Sequence, residues 1–181
     1  TLLQRTIAPI QSVLAATLAT EGALAAGQAS VALLPIISGG VLTMFAMWWL
    51  YFDRPAHEAL TSFGSTFRWA YGHYFIFAAA AMAGAGVAVA VDLATGHASL
   101  DPRVAGALFA WPVAAFLAVL WLLHGRQTDR GGAAVAILSL SLVSLVVAPL
   151  TPQPVLVTGA TLTALLAAKL TLRRLAAPVS A

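Results

Sequence analysis

The chain is a succession of apolar runs, each close to the length that crosses a lipid bilayer. Six can be marked, at about 7–26, 31–52, 71–91, 104–123, 133–150 and 155–172. A helix needs about 20 residues to span the hydrocarbon core. There, every backbone N–H and C=O must be paired within the protein, and for runs of this length a helix does it. Charge is correspondingly scarce: 8% of the 181 residues are charged and 61% are hydrophobic. Soluble domains carry about 25% charged residues. So few charges cannot cover the surface of a water-soluble fold of this size. The expected fold is all-α, a single polytopic transmembrane helical bundle of about six spans.

The first run is the weakest, with Pro9, Gln11, Thr17 and Glu21 in or beside it. The second holds Pro35 and the Gly39-Gly40 pair, and the fourth holds Pro112. Thr151-Pro152-Gln153-Pro154 is a tight turn that makes the last two runs a helical hairpin. Six spans put Arg5, Arg54, Arg68, Arg126, Arg130, Lys169, Arg173 and Arg174 on one side, and only Arg103 on the other. Basic residues collect on the cytoplasmic side, so both termini are expected there. Trp48, Trp49, Tyr51, Trp69, Tyr71, Tyr74 and Trp121 fall near the same ends, as an interfacial aromatic belt should.

The net charge of +3 does not imply nucleic acid, because the basic residues stand singly or in pairs and form no basic face. With no cysteine, disulfides, thiolate metal sites and cysteine nucleophiles are excluded. Thr1 opens the chain without the basic stretch of a cleavable signal peptide, and it reads as part of something longer.

Candidate chemistry centres on the third run. His73, Ala80, Gly84 and Val91 keep to one face. Ala80, Gly84 and Ala88 make a small-xxx-small row that lets a neighbouring helix come close, with a permeation path as the alternative. His73 opens that face and should point into the bundle, either bonding a backbone carbonyl or relaying protons. Asp53 and Asp92 close helices, where a carboxylate meets the negative end of the helix dipole. Arg54 or Arg68 would offset this for Asp53, and Arg103 or plain hydration for Asp92. The expected cluster is Asp53 paired with Arg68, with His73 in reach. Lys169, one turn before Arg173-Arg174, reads as an interfacial lysine and not as a Schiff-base residue. Ser139, Ser141 and Ser144 should bond back to their own helix or across the hairpin. Asp92, His97 and Asp101 lack metal-ligand spacing, and no phosphate loop or Ser-His-Asp order is present. No metal or cofactor is expected. Trp49-Leu50-x-x-x-Arg54 and Trp121-Leu122-x-x-x-Arg126 echo one another, through duplication of a helix pair or chance reuse of interface residues.

Trp48-Trp49-Leu50-Tyr51-Phe52-Asp53, then Tyr71-Gly72-His73-Tyr74 and Gly84-Ala85-Gly86, follow in an order that resembles the bacterial low temperature requirement A (LtrA) family. The resemblance covers essentially the whole chain. It implies a polytopic protein of the bacterial plasma membrane connected with growth in the cold, and it implies no specific reaction. The family's N-terminal Phe-Phe-Asp helix motif has no counterpart here, so the chain looks like the second half of the span set. Where the family tends to show Leu-Gly-Glu-Ser, this chain has Pro9-Ile10-Gln11-Ser12, and Gln11 cannot act as an acid or base. Three roles are open. A transporter- or channel-like protein would use Asp53, Arg68 and His73 as its polar cluster. A non-catalytic subunit would pack on a larger membrane partner or a second copy. A lipid-directed enzyme is the weakest, since no paired acid and base are visible.

Overall fold

The structure, a computed structural model, describes residues 32–53, 63–125 and 132–176. Among them every regular element is helical: α1 Leu33–Phe52, α2 Phe63–Ala94, α3 Pro102–Leu120, α4 Gly132–Val147 and α5 Pro154–Ala176. A π-helical turn at Trp121–Gly125 continues α3, and a 3-10 turn at Ala148–Leu150 closes α4. All five are long and apolar enough to cross a membrane, over Leu33–Phe52, Trp69–Ala94, Pro102–Leu123, Gly132–Leu150 and Pro154–Leu175. They correspond to the second to sixth apolar runs. The first run, 7–26, lies outside the described residues.

Two of the helices, α2 and α5, outrun their apolar runs. α2 starts at Phe63, ahead of the expected Tyr71, because hydropathy marks the part that suits lipid while polar residues such as Thr66 do not stop a helix. α5 runs on to Ala176 and carries Arg173 and Arg174 in its last turn, where cations meet the negative end of the dipole favourably. α2 stops where Gly96 turns to φ 76°, and the Asp92 carbonyl accepts from His97 N–H at 2.8 Å. This left-handed residue after a helix favours glycine. α3 starts where the Asp101 carboxylate accepts from Arg103 N–H at 2.7 Å, with Pro102 in the first turn, where a missing N–H costs nothing. Asp101→Ala should therefore cost about 1 kcal/mol, read as a lower Tm in detergent. An unchanged Tm would mean that water replaces the cap.

Two close-packed helix pairs set the frame. α1 and α5 run parallel. A Cβ added to Gly39 would strike the Val155 backbone and lie 2.6 Å from the Leu156 Cα. One added to Gly159 would strike the Gly39 carbonyl. The two backbones touch with no side chain between them, the arrangement that small residues permit inside membranes. α2 and α3 run antiparallel. A Cβ on Gly86 would meet Leu108 O at 2.6 Å and the Phe109 Cα at 2.7 Å. Towards the other end, one on Gly72 would meet the Leu123 side chain at 2.6 Å. The Trp111 indole N–H donates to the Val146 carbonyl at 3.2 Å and ties α3 to the end of α4. Phe109, Ile76, Leu145, Leu162 and Val113 are fully buried between the helices, while Phe45, Tyr74, Met82 and Leu140 face outward. An apolar exterior around an apolar core suits lipid as the surrounding solvent.

Candidate functional site

The parallel pairing of α1 and α5 brings their C-terminal ends together, and there Asp53, Lys169, Arg173 and Arg174 gather. Asp53 follows the last residue of α1. Its carboxylate takes both terminal nitrogens of Arg173, at 2.5 Å and 2.6 Å. Lys169, one turn earlier on the same face of α5, lies 3.7 Å from the Asp53 carboxylate. The Asp53 side chain is 9% exposed, against 41% for Arg173 and 24% for Lys169. The two-pronged geometry is the strong form of an Arg–carboxylate pair. It also places cations where a carboxylate at a helix C-terminus needs them. Among the described residues, the partners of Asp53 are in the last helix. The Arg68 side chain lies outside the described residues, so the expected Asp53–Arg68 contact is not described.

His73 lies on α2 at the same end and is 7% exposed. Its ring sits 4.0 Å from the Trp69 ring, 5.8 Å from Tyr51 and 6.0 Å from Phe77. Tyr51 is two residues before Asp53, so this ring contact connects the ionic end of α1 to α2. The His73 Nδ1 is 2.6 Å from the Trp69 carbonyl. A carbonyl only accepts, so Nδ1 carries the proton, and in the neutral ring the lone pair is on Nε2. Two further donors lie in the same region. The Trp69 and Trp121 indole N–H groups are inaccessible to solvent and have no acceptor among the described residues, and an unpaired buried donor costs about 1–3 kcal/mol. Trp121 starts the π-helical turn after α3, and such turns are frequent where helices carry function. The arrangement can hold a proton on His73, present cations beside a covered carboxylate, and donate to an acceptor from two indoles.

The other expected residues are placed as follows. Ala80 and Gly84 are buried and Ala88 is half-buried, so this row is covered within the chain. The close approach to α3 falls on Gly86, two residues along. Asp92 and Arg103 are both exposed and form no ion pair with each other. Asp92 holds the α2 terminus through its carbonyl, and Arg103 gives its backbone N–H to Asp101. His97 bonds Thr95 at 2.8 Å. No group of three His, Asp or Glu side chains able to hold a metal is found among the described residues. Ser141 bonds back to Ile137 O at 2.8 Å. At the opposite end of the bundle a cavity of about 270 Å³ is lined by Pro35, Ala94, Pro102, Gly106 and Pro154 among others, with no ionisable side chain. Sequence reasoning missed Arg173 as the partner of Asp53. The signal was available: Lys169 and Arg173 are four residues apart at the end of a span that closes on the Asp53 side.

Residues 11–169 match the family model of the bacterial low temperature requirement A protein (LtrA). The match begins at Gln11 and takes in every residue of the ionic and aromatic cluster except Arg173 and Arg174. No curated protein and no solved structure is found that matches the chain.

Proposed function

We propose that this chain, which belongs to the bacterial low temperature requirement A (LtrA) family, acts in the bacterial plasma membrane as a transporter- or channel-like protein that supports growth in the cold. The observation that carries the reading is the coincidence of a buried histidine and a covered, ion-paired aspartate at one end of an otherwise apolar bundle. Ionisable groups at membrane depth are expensive, and they mark ion or substrate paths by default. Asp53 and His73 are the residues assigned to the path, with Arg68 a third member. The basic residues at this end support a cytoplasmic location for it. A subunit role is less well supported, because Gly39, Gly86 and Gly159 are consumed in packing within the chain, and the Ala80–Gly84 row is covered. Membrane insertion of a second copy remains compatible with a transporter.

The test is flux through the full chain in proteoliposomes, set beside growth at low temperature of a strain depleted of the protein. The reading expects an ion or solute flux above empty vesicles, lost in Asp53→Asn. It expects His73→Gln to flatten the dependence of that flux on pH near neutrality while the protein stays folded. No flux for any cation, anion or proton, together with full rescue of cold growth by Asp53→Asn, would contradict it.

A further inference from the structure

At the end of the bundle away from Asp53, α1, α2, α3 and the start of α5 enclose the cavity of about 270 Å³. Each of the four helices supplies a wall, so the cavity sits at the mouth of the bundle axis. Ala32, Pro102, Pro152 and Gln153 are exposed at its rim. Ala105 and Val155, deeper in the wall, are buried.

Packing holds this space open. Gly39 sets the α1 backbone against Val155 and Leu156 of α5, and Gly86 sets α2 against Leu108 and Phe109 of α3. A Cβ on Gly106 would meet the Pro154 ring at 2.8 Å, so α3 is seated on the start of α5. These contacts fix the spacing of the four helices just inside the rim. Much of the wall is alanine and proline, which have no rotamers to swing into the gap. The cavity is therefore preformed, and a ligand need not order its walls on binding.

The chemistry of the wall selects the occupant. No described lining side chain is ionisable, and Gln153, the one polar side chain among them, is at the exposed rim. A charged molecule would give up its water here and gain no partner, which is costly. An apolar cavity of about 150 Å³ is enough to take up benzene, and this one is larger. We propose that it is a binding site for a small, uncharged, mostly apolar organic molecule. The site goes beyond the transport reading and does not rest on it.

The experiment is photolabelling of the full chain in phosphatidylcholine nanodiscs with a diazirine-bearing octanol, the adducts being placed by mass spectrometry. Adducts should form on the walls, at residues 90–106 and 152–156, and excess n-octanol should suppress them. Labelling of the outward-facing Phe45 and Leu140 should not saturate in this way. Sodium octanoate, the same chain with a charge, should compete far more weakly than n-octanol. Ala94→Phe puts a ring into the cavity from the end of α2. It should lower the saturable adducts by on the order of tenfold, as overfilling a hydrophobic pocket does. Ala90→Leu, one turn earlier, serves if that variant does not fold. Ala81→Phe, on the exposed side of α2, should leave them unchanged. Ala32 continues from residues outside the described ones, which is why the full chain is labelled. A cavity filled by that segment or by a lipid chain would give no saturable adducts, and this result would overturn the proposal. Octanoate competing as well as octanol would overturn the uncharged class. Saturable adducts that persist in both Ala94→Phe and Ala90→Leu would overturn the location. Flux in proteoliposomes stands or falls separately from all three results.

Discussion

Gly39→Leu is expected to separate α1 from α5 and to lower the stability of the detergent-solubilised chain by the upper end of the about 1–3 kcal/mol typical of overpacking. The reason is that backbone, and not a movable side chain, stands where the new atoms must go. A Cβ at this position already meets the Val155 backbone and the Leu156 Cα. Gly159→Leu should behave alike, since its Cβ would strike Gly39 from the other side. Gly40 is the internal control. A Cβ there finds only Val87 Cγ2, at 3.9 Å, which is ordinary contact. Gly40→Ala should be neutral or slightly stabilising, because alanine is the better helix former by roughly 0.5–1 kcal/mol. Thermal unfolding of the two neighbours decides the matter. Equal Tm values for Gly39→Ala and Gly40→Ala would contradict a backbone contact at Gly39.

Asp53→Asn should produce the second large effect. It keeps the shape and removes the charge, leaving Lys169 and Arg173 side by side without their anion. Exposed pairs are worth about 0.2–1 kcal/mol, and breaking a buried pair costs about 3–5 kcal/mol. With Asp53 covered and Arg173 part-exposed, a loss of about 1–3 kcal/mol is expected. Arg173→Gln should cost less, because Lys169 stays 3.7 Å from the carboxylate. The order of the two variants, measured by unfolding in the same detergent, is the check. A larger loss for Arg173→Gln would mean that the arginine has a partner more important than Asp53.

The helices themselves were legible in the residues. Runs of apolar residues at membrane-crossing length became α1 to α5, and the turn at Thr151-Pro152-Gln153-Pro154 joins α4 to α5 as the prolines suggested. Asp53 and His73 were also identifiable, because an acid at a helix end and a histidine on an inward stripe are both anomalies in lipid. What the residues did not reveal was which helices lie side by side. Asp53 needed a cation, and the nearest in sequence were Arg54 and Arg68. The described one comes from α5, reached only because α1 and α5 pack in parallel. Likewise the spacing of Ala80, Gly84 and Ala88 advertised a packing face, whereas the backbone contacts with named partners fall on Gly39, Gly86 and Gly159. A small residue shows that close approach is possible. Which neighbour uses it depends on the arrangement of the whole bundle, and periodicity along one helix carries no information about that.

The central claim is that Asp53 joins α1 to α5 through Arg173, at the end that holds His73. The chain contains no cysteine, so cysteines introduced in pairs report without background. The decisive measurement is cross-linking by a short bis-maleimide in native membranes. It compares Asp53→Cys/Arg173→Cys with Asp53→Cys/Arg68→Cys, each carrying an engineered protease site between residues 126 and 131 and, for the second pair, one between 54 and 62. The account predicts that the first pair holds its two fragments together after cleavage, in high yield. Separation of those fragments, with efficient cross-linking of the second pair instead, would contradict it.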